Sequence, residues 1–362
     1  RRMTYTMVAD ILDGAEAPEE YKDFVDDFKL MKQLSDLLRK KRSGRGAIDF
    51  DFPESKIILD EKGRPIDIKA YEHSAATRLI EDFMLLTNET IAEEYYWLEL
   101  PFVYRIHETP DEEKLRTFAT FLNNFGYSLH LINHTIHPKE LQKLLSRIEG
   151  SEAEGLISRI LLRSMKQAKY SPENLGHFGL SAKYYCHFTS PIRRYPDLQI
   201  HRIIKEQLHG TLSKSRQEHY EHILPSVCDS SSKLERRADE AERETDKLKK
   251  AQYMRRHIGD IYEGVISGVT AYGFYVELTN TVEGLVRAAN LDDDYYIYDQ
   301  EHYQLVGEMT GRTFSIGQSV SVVVVDADTL TKQIEFLLYY PEEDWSKGET
   351  RHGKRKSKTH RK

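Results

Sequence analysis

The chain has 362 residues, which is more than one compact core usually contains, so at least two domains are expected. Hydrophobic residues make up 39% and charged residues 31%, no apolar run reaches transmembrane length and no signal peptide is recognisable, so no membrane association is expected. Two cysteines, Cys186 and Cys228, are too few for a disulfide framework and favour a cytoplasmic location. A net charge of −7 excludes a uniformly basic nucleic-acid binder, so any surface for nucleic acid must be local.

The first part of the chain predicts mainly helices. Apolar residues at helical spacing indicate one or two amphipathic helices over residues 7–41. Apolar and polar residues then alternate over residues 47–59, where Pro53 to Lys56 can turn a hairpin. A strand is predicted over residues 102–107. Further helices are predicted over residues 71–99, 111–126, 138–149, 154–165 and 226–256.

Two adjacent arginines lie in the most informative segment, residues 187–202. Prolines on both sides fix φ and disfavour helix before them, so Arg193 and Arg194 are expected on a stiff segment that leads into a helix near Asp197. A guanidinium presents a planar fork of donors that matches phosphate oxygens. The chemistry alone leaves two interpretations open, a phosphodiester site and a structural salt bridge.

The composition changes near His257. Residues 259–338 are rich in Val, Tyr, Ile and Gly, and short segments with period-two alternation are separated by glycine turns. This pattern predicts a small Greek-key barrel of the OB type. After Pro341 the chain is polar, basic and poor in aromatic residues, and is expected to be disordered. The predicted class is α+β, with domains over residues 1–256, 257–340 and a tail over 341–362.

The arginine segment, with Thr-Ser-Pro-Ile-Arg-Arg-Tyr-Pro-Asp-Leu-Gln-Ile-His-Arg at residues 189–202, resembles the signature of the RNB catalytic domain of the ribonuclease II family. Residues 259–286 resemble an S1-type RNA-binding domain. The basic tail resembles the lysine-rich ends of ribonuclease R members of the family more than the shorter ends of ribonuclease II members. Four more blocks resemble the family and stand in its order: Met3–Thr6, Arg42–Asp49, Leu79–Met84 and Asn174–Leu180.

The resemblance implies the C-terminal portion of a 3′→5′ exoribonuclease that hydrolyses RNA processively to nucleoside 5′-monophosphates with magnesium. The RNA partner would enter a narrow channel by its single-stranded 3′ end, and ribonuclease R-like members also digest structured RNA. Family aspartates that hold magnesium lie upstream of the Thr4–Thr6 block, so the chain is expected to lack them. Asp26-Asp27 and Asp292–Asp294 do not match the family context, and no residue of this chain is assigned as a metal ligand.

Three residues are expected in the catalytic machinery by resemblance. Arg193 would contact the scissile phosphate, with Arg194 nearby, where fixed cations stabilise charge on phosphoryl oxygens. Glu242 matches a family glutamate near the catalytic centre; the alternative is an ordinary charged residue on a helix that has many. For the chain as a whole, the alternative function is a non-catalytic RNA-binding module that uses the barrel and the tail.

The terminal nucleotide of the RNA is expected at the start of the chain and on the helix over residues 71–99. Glu81 or Asp82 matches a family acid that contacts this nucleotide, and Tyr5 matches an aromatic residue that packs on its base. A tyrosine ring stacks on any base, which is consistent with sequence-tolerant degradation. A further aromatic clamp of the family lies before Tyr5 and is absent here.

The barrel carries three more expected RNA contacts. Tyr272 and Tyr275 fall where S1-type domains place stacking aromatics, but neighbours in a strand alternate faces, so the two rings share a face only if Gly273 introduces a bulge or bend. Arg287 stands where many such domains have histidine, and it can stack on a base or pair with phosphate. Gln333 stands where an arginine is common.

Two other patterns are set aside. His130, His134 and His137 have zinc-like spacing but lack a glutamate of the metalloprotease motif and a cysteine partner, so surface or helix-end histidines are expected. Residues 43–46 (Ser-Gly-Arg-Gly) resemble a phosphate loop only superficially, because the lysine and the following Ser or Thr of a P-loop are missing.

Overall fold

The computed structural model describes residues 2–48, 54–71, 73–130, 135–151, 153–300 and 302–340. Its first part combines helices with two small antiparallel sheets, and its second part is a barrel. The predicted α+β class and the OB-type barrel are confirmed. The domain boundary at residue 256 stays a prediction. No helix in these ranges is both long and apolar enough to cross a membrane.

The first part contains eight helices and four strands within the described ranges. A 3₁₀ helix, Glu19–Phe24, precedes α2. The elements in chain order are α1 (Tyr5–Leu12), α2 (Val25–Arg45), β1 (Glu54–Leu59), β2 (Pro65–Tyr71), α3 (Ala75–Trp97), β3 (Tyr104–Ile106), α4 (Glu112–Asn123), α5 (Pro138–Ile148), α6 (Glu154–Ser164), β4 (Lys169–Ser171), α7 (Tyr195–Leu208) and α8 (Lys214–Met254).

Local sequence explains where α3 begins and where α2 ends. Ser74 caps α3, because its hydroxyl accepts a hydrogen bond from the Thr77 amide at 3.2 Å. α2 ends at Gly46, which has φ +102°. A Cβ at Gly46 would lie 2.7 Å from the backbone nitrogen of Lys139 in α5, so only glycine allows α5 to pack this closely against the end of α2.

A hairpin forms in this region, but it is not the one predicted within residues 47–59. β1 and β2 pair antiparallel with Glu54 opposite Tyr71, and the turn covers residues 60–64. The Asp60 carboxylate accepts from the amides of Lys62 and Arg64, which is the turn chemistry of aspartate. The prediction of a turn at Pro53 to Lys56 was wrong, because residues 54–56 lie in β1; residues 49–53 lie outside the described ranges.

α8 begins earlier than predicted. It starts at Lys214, where Ser213 caps it, and it continues through Pro225 as one helix of 41 residues. Proline lacks an amide donor and its ring clashes with the preceding turn, so inside a helix it usually causes a kink or a break. Here the ring lies on the exposed side of the helix, while Leu224 and Cys228 on either side of it are buried.

Five strands close the barrel in the order β11-β12-β7-β6-β5, and a three-stranded sheet, β10-β9-β8, is inserted before β11. Phe274 and Phe336 are fully buried inside the barrel. The same core cluster contains Ile68 of β2 and Ala251 and Met254 of α8, so the barrel shares apolar packing with the first part. The strands are β5 (Ile261–Thr270), β6 (Gly273–Leu278), β7 (Glu283–Arg287), β8 (Tyr296–Asp299), β9 (Gln304–Gly307), β10 (Thr313–Ser315), β11 (Ser319–Asp328) and β12 (Gln333–Leu338).

Candidate functional site

The arginine segment forms a turn that is held at both ends. The backbone amides of Arg193 and Arg194 donate to the Ser190 carbonyl at 3.3 and 3.0 Å. The Ser190 amide donates to the Asp197 carboxylate at 2.8 Å, and Asp197 is fully buried in the first turn of α7. We call residues 189–194 the arginine loop. The stiff, non-helical segment that leads into a helix at residue 195 is confirmed.

The two arginines have different surroundings. The Arg194 guanidinium donates to Asp197 Oδ1 at 2.7 Å, and only 18% of its side chain is exposed. Arg193 is exposed, and in the described part of the chain its guanidinium makes no side-chain hydrogen bond or ion pair. The structural salt bridge therefore belongs to Arg194, and the Arg193 guanidinium has no side-chain partner among the described residues. This division of roles was not visible in the sequence.

A buried polar layer supports the arginine loop. His187 Nδ1 lies 2.9 Å from the Tyr170 hydroxyl, and the Arg105 guanidinium lies 4.7 Å from the centre of the Tyr170 ring. Arg105 also donates to Glu235 of α8 at 2.6 Å. Burial, together with the nearby cations of Arg194 and Arg105, lowers the pKa of His187 to about 2. The imidazole is therefore neutral at neutral pH.

A second half-buried histidine, His177, belongs to the same layer. Its ring contacts those of His107 and Tyr185 edge to face. Burial lowers the pKa of His177 to about 3, with His107 and Arg105 contributing in the same direction. Sequence reasoning missed this layer, because the histidines come from separate segments of the chain.

Glu242 lies on the exposed face of α8. It follows Glu235 by seven residues, which places it about two turns, or roughly 10 Å, further along the same side of the helix. Within the described ranges its carboxylate has no hydrogen bond or ion pair. Its catalytic role stays a prediction.

The adjacent acids of α3 point to different environments. Asp82 is buried, and its carboxylate accepts from the Ser35 hydroxyl at 2.6 Å, from Arg42 at 2.7 Å and from Arg39 at 3.3 Å, which ties α3 to α2. Glu81 is exposed and lines a cavity. Of the two candidates for contact with a terminal nucleotide, the geometry leaves Glu81 available and makes Asp82 a structural partner of arginines.

This cavity, of about 940 Å³, separates the helices of the first part from the barrel. α2, α3, α5 and α6 form one wall, and β5, β6 and the residues that follow them form the other. Arg159 of α6 bridges the two walls through ion pairs with Glu277 and Glu283 of the barrel. Arg193 and Glu242 do not line the cavity, so the structure does not bring all the predicted residues into one pocket. Tyr5 is 55% exposed at the start of α1.

The two barrel tyrosines share a face, as the bend at Gly273 allows. Their hydroxyls are 3.0 Å apart and their ring centres 6.5 Å apart. Gly273 has φ +149°, and a Cβ there would lie 2.2 Å from the Val286 carbonyl oxygen, so the bend requires glycine. The hydrogen bond with Tyr272 raises the pKa of Tyr275 to about 12. Arg287 forms an ion pair with Glu335 of the neighbouring strand.

The side chains that could bind a metal ion lie apart from one another in the described residues. In the ranges that the structure describes, no three or more His, Cys, Asp or Glu side chains converge on a metal position. Asp294 accepts from the amides of Met309 and Thr310, and Asp293 accepts from Arg312, so these acids stabilise a loop. His137 caps α5, and His134 lies outside the described residues. The described residues do not fit the magnesium that the family resemblance implies.

Comparison with known proteins agrees with this architecture. A family model of the RNB domain matches residues 1–210, and one of the S1 RNA binding domain matches residues 256–338. The chain therefore belongs to the RNB family, with an S1 domain at its C-terminal side.

Individual relatives carry the name ribonuclease R. The chain is 46% identical to ribonuclease R 1 of Lactococcus lactis over 343 residues, which are 94% of this chain and 42% of that protein. It is 40% identical to ribonuclease R of Thermotoga maritima, over 95% of this chain and 49% of that protein. The chain thus spans about half the length of these curated relatives.

A solved structure shows the same arrangement. Mycoplasma genitalium RNase R, in complex with ribose methylated single-stranded RNA, superposes with a TM-score of 0.85 at 26% identity. The match covers 93% of this chain and 53% of that one. The two parts of the chain are thus similar in fold and order to a ribonuclease R.

Proposed function

We propose that this chain holds single-stranded RNA for a 3′→5′ exoribonuclease of the ribonuclease R type. The proposal rests mainly on the surroundings of Arg193. Its guanidinium is exposed, it lies on a turn held at both ends, and it has no side-chain partner in the described part of the chain. Membership of the RNB family and relatives named ribonuclease R support the same function. In the whole enzyme the reaction would be processive, with release of nucleoside 5′-monophosphates.

Arg193 would pair with non-bridging phosphate oxygens. A planar guanidinium makes two parallel charge-assisted hydrogen bonds to phosphate. The loop is already ordered by Ser190 and Asp197, so little reorganisation is needed when RNA arrives. Arg194 would act through the loop rather than on RNA, because its guanidinium is engaged by Asp197.

The terminal nucleotide would lie beside Glu81 and Tyr5. An exposed carboxylate accepts hydrogen bonds from ribose hydroxyls, which distinguish RNA from DNA. An exposed tyrosine ring stacks on a base without selecting its sequence. On the barrel, Tyr272 and Tyr275 would stack on bases further from the 3′ end, and Arg287 would contact the backbone beside them.

RNB nucleases generally depend on divalent metal ions. When bound, such ions would stabilise the negative charge that develops at the reacting phosphate group. The described residues offer no donor set for such ions. This observation favours a second candidate function for the chain acting alone, a non-catalytic RNA-binding module that uses the barrel tyrosines and the basic tail.

A single experiment separates the two functions. The chain is incubated with 5′-labelled RNA that carries a 3′ single-stranded overhang, with and without magnesium, and products and binding are measured together. A magnesium-dependent ladder that shortens from the 3′ end would establish hydrolysis by this chain, whereas binding without shortening would establish the RNA-binding module.

Variants test the assignment of the site. Arg193→Ala should weaken binding of the overhang and abolish any ladder. Arg116→Ala, which removes an exposed arginine of α4, is the matched control and should change neither. Equal effects of the two variants would show that Arg193 is not the phosphate contact.

A further inference from the structure

Asn88 is a buried amide in the middle of α3, and only 3% of it is exposed. Its side-chain oxygen accepts from the Phe188 amide at 3.0 Å, and its side-chain nitrogen donates to the Tyr185 hydroxyl at 3.3 Å. Its backbone carbonyl accepts from the Cys186 thiol at 3.3 Å. All three contacts are made with residues 185–188, the segment that leads into the arginine loop.

The position is unusual for an asparagine. Asparagine forms helices less well than alanine or leucine, and a buried amide is destabilising unless its donors and acceptor are satisfied. An apolar residue would pack at this point of α3 without either cost. The hydrogen bond from the Phe188 amide to the Asn88 side chain fixes the position of the Phe188 backbone relative to α3.

The opposite side of the same segment is held by α7. His201 Nε2 lies 2.9 Å from the Phe188 carbonyl oxygen, and the rings of the two residues stack at 4.2 Å. Asp197 then holds Ser190, three residues before Arg193. The arginine loop is therefore located between two helices, and Asn88 is its side-chain link to α3.

The same helix carries Glu81. Glu81 precedes Asn88 by seven residues, which is about two turns, or roughly 10 Å along the axis. A helix of this length is stiff, so the separation between Glu81 and the arginine loop depends on how the loop is attached to α3. The Asn88 side chain supplies hydrogen bonds to that attachment, beside the apolar packing of α3 against Tyr184 and Cys186.

We propose that Asn88 is a positioning residue that sets the location of Arg193 relative to Glu81, so that one RNA strand contacts both. The proposal rests on the proposed function, in which Arg193 binds phosphate. Asn88 itself does not touch RNA.

The test measures how the affinity for a short single-stranded RNA depends on salt, in the full chain. Each phosphate contact with single-stranded RNA contributes about 0.7 to the slope of log K against log salt concentration. Arg193→Ala should lower this slope by about 0.7. Asn88→Ala should lower it by the same amount, and the double variant should lower it no further, because both substitutions remove one contact.

Two additional variants separate positioning from general stability. Tyr185→Phe removes one bond of the amide with almost no change in volume and should weaken binding only when Arg193 is present. Leu141→Ala, in the buried core of α5, is a matched destabilised control and should leave the slope unchanged.

The outcomes distinguish the two proposals. An unchanged slope in Arg193→Ala would overturn the proposed function and the role of Asn88 together. A lower slope in Arg193→Ala with additive effects of Asn88→Ala, or with full binding in Tyr185→Phe, would overturn the role of Asn88 alone.

Discussion

At the scale of single residues, one buried carboxylate gives two adjacent arginines different roles. Asp197 accepts from the Ser190 amide and from the Arg194 guanidinium, and both partners shape the loop. Arg193 is left exposed at the turn. The two adjacent arginines therefore differ in role. Arg194 stabilises the loop through Asp197, whereas the guanidinium of Arg193 is exposed to solvent.

Replacement of these arginines should separate stability from binding. Arg194→Ala leaves the charge of Asp197 buried and unpaired, so the free energy of unfolding should fall by about 3–5 kcal/mol. Arg193→Ala removes an exposed side chain, and its effect should stay within about 0.5 kcal/mol. Urea denaturation followed by circular dichroism measures both. Similar losses in the two variants would contradict the division of roles.

At the scale of elements, sequence patterns located the amphipathic helices well. The predicted helix over residues 138–149 is α5, Pro138–Ile148, because its apolar residues repeat with helical period and a proline begins it. The hairpin turn was predicted at Pro53 to Lys56, whereas the chain turns at residues 60–64. α8 begins at Lys214 rather than at Ser226, because the exposed position of Pro225 allows the helix to continue through it.

The site was only partly predictable for a related reason. Motif resemblance selected Arg193, Arg194 and both acids of α3, but it carried no information on burial. Whether Glu81 or Asp82 faces the cavity depends on α2, which packs against α3 from elsewhere in the chain. Which arginine pairs internally depends on the turn of the loop, which brings Arg194 rather than Arg193 to Asp197 within the motif itself. The bend that brings the barrel tyrosines together was inferable, because only Gly273 offered it.

The histidines of the polar layer beside the arginine loop should make the folded chain less stable at acidic pH. His177 and His187 have pKa values of about 3 and about 2 in the folded chain because they are buried, against about 6.5 when unfolded. Below pH 6.5 the unfolded state therefore binds more protons, and stability that is complete above this pH is lost as the pH falls towards the folded pKa values. Each histidine should remove about 2 kcal/mol between pH 8 and pH 5.

Urea denaturation across this pH range measures the effect. His187→Gln should reduce the loss of stability between pH 8 and pH 5 by the contribution of one histidine, and so should His177→Gln. If the free energy of unfolding depends on pH in the same way in His187→Gln and in the unaltered chain, burial does not hold the His187 imidazole in its neutral form.

At the scale of the whole molecule, several contacts attach the barrel to the first part of the chain, and three of them differ in chemical kind. Ile68 lies in the core cluster of the barrel and provides an apolar attachment. Phe121 of α4 packs edge to face on Tyr303 of the inserted sheet, with ring centres 5.3 Å apart. Arg159 crosses the cavity and pairs with two barrel glutamates. The ionic contact is the only one of these three that salt weakens directly, so it should control how far the cavity opens.

Arg159→Ala should therefore loosen the cavity wall without detaching the barrel. The pairs are partly exposed, so the free energy of unfolding should fall by at most about 1 kcal/mol. Amide hydrogen exchange should accelerate in α6 and in residues 264–267 and 277–281, and high salt should produce the same pattern in the unaltered chain. Ile68→Ala is the contrasting variant: loss of a buried side chain should cost about 2–5 kcal/mol and should accelerate exchange where α8 meets the barrel. Unchanged exchange along the cavity walls in Arg159→Ala would mean that the apolar contacts alone set the distance between the barrel and the helices.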